Sequence, residues 1–519
     1  MRPVGYAFLQ AHYEFSLPKL DCEYFQGDHA KGIKTINYGA STRKVLCNRT
    51  KIGDTPFDHI KAAINYQGIR LQYLYVIFKA IDEKHLTEQI LKTPTSRQSR
   101  VVWFLFEWLM EKKLDIPDLK TGNYVHLFDS KYYFTRKSGV RCQRTRVNNN
   151  ALGTRAFCPC IRKTHKVVEL VKVDVYETAF AQMQEMGILL NADVVDRCIN
   201  YLYTKESKTS SEIEREIPSK QRLKRFNQAL KNAGLYNLNK HTLLGVQNQI
   251  VDQKAGVDDY RREEIYVGEI KQKGSFIDQN IHFVGPKAAH VDNMMEGLLV
   301  THDNLMTDCD MPPLMHAATI SFGLVYIHPF DDGNGRTHRY LLHDVFKQRD
   351  KRHEFIIPIS ATILKNEKAY EAILNTISTP LLLLLDYEID SENQNRVVIH
   401  NDLHYMYRYP DFTPHVEYIY EMMDTSIKLE LLSEVAYLTT FDTIKKVINQ
   451  NADVSANHAN TIINIIINNG GKASNNKREY ILEHISEEVL ELVEASAQHV
   501  FEAMGKKLGV DIENLKFGS

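Results

Sequence analysis

His328-Pro-Phe-Asp-Asp-Gly-Asn-Gly-Arg-Thr-His-Arg339 is the stretch from which the rest of this 519-residue chain is read. It places an imidazole, two carboxylates, a Gly-Asn-Gly turn and two arginines side by side. His328 can take a proton from a nucleophile, and Asp331 or Asp332 can hold a hard cation such as Mg²⁺. Gly333-Asn334-Gly335 allows a tight turn that aims backbone N–H groups at an anion, the more so where a helix begins. Arg336 and Arg339 lie three apart, so a helix presents them on one face as two forks for phosphate oxygens. The plain alternative is a loop-to-helix junction with solvated charges, and the density of chemistry argues against it.

The stretch resembles the signature of the Fic family, HxFx(D/E)GNGRxxR, at every fixed position. The resemblance spans roughly residues 200–375 and implies a mainly α fold, a helical core with a short β-hairpin flap. It implies a protein adenylyltransferase that moves AMP from ATP with Mg²⁺ to a Ser, Thr or Tyr hydroxyl of a target protein, with self-modification also open. On this reading His328 is the base, Asp332 holds the metal, and Gly333, Asn334 and Gly335 cradle the α-phosphate. Arg336 and Arg339 take the outer phosphates, and Asn366 and Tyr370 border the adenine. Within the family the alternatives are removal of AMP and transfer of another phosphate-containing group.

Upstream, Lys205–Glu216 holds Ser210 and Glu214, four apart and so on one face of a helix. Read alone, Ser followed by Glu most often marks an N-capped, charged helix end. The resemblance implies something else, an inhibitory helix near 205–216 with the family pattern (S/T)xxxE(G/N). Its glutamate, here Glu214, pairs with Arg339 and keeps out the γ-phosphate. Arg215 stands where that pattern has Gly or Asn.

Between these segments, 312–327 is almost wholly apolar and predicts a helix at the centre of a bundle. Residues 265–270 and 277–286 alternate and end in Gly-Pro, which predicts a hairpin. In the family a flap at this place aligns the target by strand addition.

Length and composition are those of a soluble globular protein of two to four domains. Three are expected: a mixed domain over 1–168, a Fic domain over 169–380 and a helical domain over 381–519. The first 170 residues carry 28 Lys and Arg against 15 Asp and Glu, a net of +13, although the whole chain stands at −1. Such a basic third meets either nucleic acid or the acidic remainder of its own chain, and a DNA-binding regulator is the reading from another class. Cys142, Cys158, Cys160 and His165 lack knuckle spacing, so a structural metal is not expected there. Seven unpatterned cysteines, no secretory h-region and no long apolar run predict a cytoplasmic chain without a membrane span. Thr461–Ile467 is too apolar for a groove-reading helix, which leaves internal packing or a homodimer.

Overall fold

The computed structural model describes all residues except 21, 29–30, 39–40, 186–191, 253–254, 274–275, 309, 353–354, 391–394 and 509–519. The expected helix break at Asn191 and the thiol of Cys309 therefore lie outside the described residues. The chain is mainly helical, with small sheets. No described helix is long and apolar enough to cross a membrane.

Two compact units form, each assembled from separate stretches of the chain. The first joins Met1–Val168, Asn237–Arg349 and Tyr370–Val416. The second joins Glu169–Tyr236, Asp350–Ala369 and Glu417–Ser519.

At the centre of the first unit is the helix Pro313–Ile327, buried from Leu314 to Ile327. A helix with no polar face has to be surrounded, and it packs between Ala288–Thr307 and Asn334–Arg349. The amino-terminal third supplies part of that surround. Phe157 is fully buried, and Gly297 makes room for its segment. A Cβ on Gly297 would stand 2.7 Å from the Ala156 Cβ and the Phe157 backbone nitrogen. The Cys158 and Cys160 N–H groups donate to the carbonyls of Arg408 (2.7 Å) and Pro410 (2.9 Å). Burial pushes the Cys158 thiol up to about 12 and also raises Cys160 well above the ordinary thiol range, so both are packing groups.

Several arginines of the amino-terminal third are engaged within the first unit. Arg144 lies over Trp103, pairs with Glu107 and donates to the carbonyls of Leu114 and Ile116. Arg146 bonds the carbonyls of Leu119 and Lys120. Arg136 pairs with Asp308 at 3.2 Å, and Arg162 with Asp411 at 2.9 Å. Tyr133 forms an isolated antiparallel bridge with Arg162.

The expected hairpin is present as Tyr266–Lys273 and Phe276–Val284, antiparallel, with a bulge after Val267. A second hairpin, Tyr387–Asp390 with Arg396–Ile399, stands where continuous helix was expected. Its Val397 and Ile399 bury against Val284, with Ile281 and Tyr266 beside them, and so brace the root of the first hairpin.

In the second unit, Ala192–Ile213 packs on Lys220–Lys231, Ile359–Lys365 and Leu432–Asn451. Glu206, 1 % exposed, accepts from the N–H (3.0 Å) and Oγ (2.6 Å) of Ser360. A carboxylate there satisfies orphan donors at the start of Ile359–Lys365. Ser426–Leu431 is a π-helical segment, and its buried Glu430 takes Lys205 and Lys365. In Ala456–Asn468, Ile462, Ile463, Ile466 and Ile467 are buried, so the apolar run packs within the unit. A short helix, Asn475–Leu482, follows the Gly470-Gly471 turn.

Candidate active site

The signature straddles a helix end and a helix start. Pro313–Ile327 stops at His328, which takes the left-handed conformation at φ 52°, ψ 61°. That conformation is costly for a residue with a Cβ, and such outliers gather at functional positions. His328 Nδ1 lies 3.0 Å from the Val325 carbonyl, so Nδ1 carries the proton and donates it. This tautomer leaves the acceptor lone pair on Nε2. The Phe283 ring, from the last strand of the hairpin, lies 5.8 Å from the imidazole.

Asn334 closes the loop between the two helices. Its side-chain oxygen accepts from the Phe330 N–H (3.0 Å), and its amide nitrogen donates to the Phe330 carbonyl (2.7 Å). The side chain therefore shapes the loop, and what this position offers an anion is its backbone N–H. Gly333, at φ 86°, precedes the helix Asn334–Arg349, and its carbonyl accepts from the Thr337 N–H at 2.9 Å. A Cβ on Gly333 would strike Val251 Cγ1 at 2.5 Å, so both the turn and the space require glycine. The first turn of a helix carries N–H groups without an intrahelical acceptor, a feature that suits this end to an anion.

Arg336 and Arg339 are each 1 % exposed and share one face of that helix. Arg336 donates to Asp332 Oδ1 at 2.7 Å, and the Asp332 side chain is 46 % exposed. Asp332 thus offers a hard oxygen ligand at the edge of the anion site, where Mg²⁺ would be held. Asp331 is exposed. The Tyr370 ring is buried and stacks on His338 at 6.3 Å. Asn366 belongs to the second unit, ends the helix Ile359–Lys365 and donates to the Thr362 carbonyl at 2.9 Å.

Two residues that carry the loop have no mark in the sequence. Gln247 is fully buried and donates from Nε2 to the carbonyls of Asp332 (3.0 Å) and Ala255 (3.2 Å). The Arg261 guanidinium is buried and donates to three carbonyls: His328 (2.8 Å), Glu263 (2.7 Å) and Pro286 (2.6 Å). Its backbone N–H bonds the Pro329 carbonyl at 2.8 Å. Burial lowers Arg261 to about 10, which still leaves it charged at neutral pH.

A sequence profile described as the Fic/DOC family matches residues 237–345, from before Gln247 to past Arg339. Residues 237–345 thus form a Fic/DOC-type domain. Members of the Fic family are typically transferases. The structure also matches that of a Fic family protein from Desulfovibrio desulfuricans G20, at 16 % identity and a TM-score of 0.36. That match covers 59 % of this chain and 87 % of the other. A likeness this distant adds nothing to what the Fic domain and its own geometry say.

Outside the matched span, Ser210 and Glu214 lie at the end of a helix and not at its start, which removes the N-cap alternative. Ser210 is buried in the last turn of Ala192–Ile213. The Arg215 N–H bonds the Glu212 carbonyl (2.8 Å), and the Glu216 N–H bonds the Ser211 carbonyl (3.2 Å). These two bonds form a Schellman motif, with Glu214 as the exposed cap residue and Arg215 left-handed at φ 56°. The Gly or Asn of the Fic pattern therefore has a backbone reason, and Arg215 keeps the turn at some strain. Arg215→Gly is expected to stabilise the protein by about 0.5–1 kcal/mol. The check is a higher denaturant midpoint at unchanged slope. A lower midpoint would mean the Arg215 side chain contributes more than the turn costs it.

Proposed function

We propose that the Fic domain transfers AMP from ATP to a Ser, Thr or Tyr hydroxyl of a protein. The observation that carries this reading is the tautomer of His328, with Nδ1–H on Val325 and the accepting Nε2 beside a helix start that holds two buried arginines. Nε2 takes the hydroxyl proton, the oxygen bonds to the α-phosphorus, and the bond to the bridging oxygen breaks to release pyrophosphate. The turn N–H groups of Gly333 and Gly335 steady the α-phosphate, and Arg336 and Arg339 the outer phosphates. Asp332 would hold Mg²⁺, which would supply positive charge against the phosphates. The hairpin Tyr266–Val284 offers the target an edge for strand pairing.

Restraint by Glu214 belongs to the same reading. The Schellman cap holds this carboxylate at an exposed helix end, and a carboxylate that satisfies an arginine competes with phosphate for it. One experiment tests both parts. Wild type and Glu214→Gly are incubated with cell extract and ATP labelled at the α- or the γ-phosphate. Protein labelling from the α-position alone, stronger in Glu214→Gly, is expected. Label from the γ-position would mean phosphoryl transfer. Release of AMP from a labelled target, with no incorporation, would mean removal. Equal incorporation by the two proteins would leave Glu214 as a cap only.

A further inference from the structure

Apart from the signature, the first unit brings together His290, Asp402 and His404, residues far apart in sequence. His290 lies in the first turn of Ala288–Thr307, and His404 opens the short helix His404–Arg408. Asp402 stands between them. Its Oδ2 is 2.9 Å from His290 Nε2, and its Oδ1 is 3.0 Å from His404 Nδ1. The two imidazole centroids are 4.8 Å apart, tilted by 41°. One ligand atom from each residue lies within 4.8 Å of the other two. Around a tetrahedral zinc such atoms stand about 3.4 Å apart, so a small rotation of one imidazole closes the set.

The geometry points to a binding site here for a divalent transition ion, zinc in the first instance, with two imidazoles and one carboxylate as ligands. Imidazole nitrogens select Zn²⁺, Ni²⁺, Co²⁺ or Cu²⁺ over Mg²⁺, so this site is chemically distinct from the Asp332 position. Without an ion the three groups satisfy one another, each imidazole donating one N–H to one carboxylate oxygen. With an ion, each imidazole moves its proton to the other ring nitrogen and gives the lone pair inward. Three protein ligands leave a fourth position for water, and the Asp402 side chain, 44 % exposed, gives an ion a way in. His404 is the better anchored ligand, at 12 % exposed and edge-on to the Tyr75 ring at 5.1 Å.

The location gives the site a consequence. Asp402 and His404 precede Tyr407, whose hydroxyl donates to the Val284 carbonyl at 2.8 Å, at the end of the hairpin. Phe283, one residue earlier, packs on both Tyr407 and His328. An ion would therefore tie the start of Ala288–Thr307 to the 402–408 segment and clamp the foot of the hairpin over the base. The effect on transfer rests on the function proposed above, and the binding does not.

The test is titration of the full chain with Zn²⁺ by calorimetry and with Co²⁺ by visible absorption, for wild type, His290→Ala and Asp402→Asn. Wild type is expected to take one Zn²⁺ at this site and to melt higher with it. Both variants should bind it about tenfold or more weaker and lose the Co²⁺ d–d bands. Asp402→Asn keeps the shape of the cluster, and far-UV circular dichroism confirms folding before titration. Equal affinity and equal thermal response in folded wild type and variants would place the ion on other histidines and overturn the site.

Discussion

Replacing His328 is expected to lower AMP transfer by about 10²–10⁴-fold, the usual worth of a positioned general base. This corresponds to about 3–5 kcal/mol in the barrier. Nucleotide affinity should change little, because in the proposed mechanism the phosphates are held by the Gly333–Gly335 turn and by Arg336 and Arg339. The effect should therefore fall on kcat. Ala alone would leave a doubt, since His328 also ends a helix in the left-handed region and bonds Val325. Asn answers it. Asn tolerates the left-handed region and carries an amide N–H in place of Nδ1–H, so His328→Asn keeps the turn and removes the base. Loss of transfer in both variants, with ATP binding retained, is the expected result. Transfer by His328→Asn at the wild-type rate would take the proton-accepting role away from this residue.

The legible part of the site is the part with short-range logic. His328, Asp332, Gly333 and the two arginines announce themselves because twelve adjacent residues hold groups of complementary chemistry. The central helix was legible because no polar face interrupts it, and the hairpin because it alternates and ends in Gly-Pro. Other parts depend on distant neighbours. Phe157 and Cys158 read as a fragment without class, yet they fill the space that Gly297 leaves open. The second hairpin lies within 381–519, a stretch whose sequence predicts a helical domain, and its two strands are only four residues each. The helix Asn475–Leu482 was hidden by its polar, Asn-rich start, although Ser474 precedes it in the extended conformation expected of a cap. Tyr370 shows the same limit. The resemblance implies a ring bordering adenine, and nothing in the local sequence says that this ring is buried and stacks on His338. Helical spacing says which residues share a face but not what that face meets.

Arg261 is where this limit matters most, and its replacement carries the largest expected loss of stability. It sits beside Arg262 in a charged run, and nothing local separates the two. Arg262 is 60 % exposed and pairs with Asp259 and Asp292 at the surface, whereas the Arg261 side chain is 0 % exposed. Arg261→Met fills a similar volume but leaves the carbonyls of His328, Glu263 and Pro286 without their donor. An orphaned buried acceptor costs about 1–3 kcal/mol, and of the three bonds the one to Pro286 is fully buried, so a loss of about 1–3 kcal/mol is expected in denaturant unfolding. Arg261→Lys should also fail, because one ammonium cannot serve three carbonyls that a planar fork reaches together. The chemistry predicts a second readout. The Arg261 Nε donates to the carbonyl of His328 itself, and its other arm holds Pro286 behind the hairpin. Losing both lets the strained His328 turn relax, so kcat should fall in Arg261→Lys under conditions where the protein is fully folded and ATP still binds. A variant that is destabilised but transfers AMP at the wild-type rate when folded would make Arg261 a packing group alone. A Lys variant equal to wild type in both respects would remove it from the site.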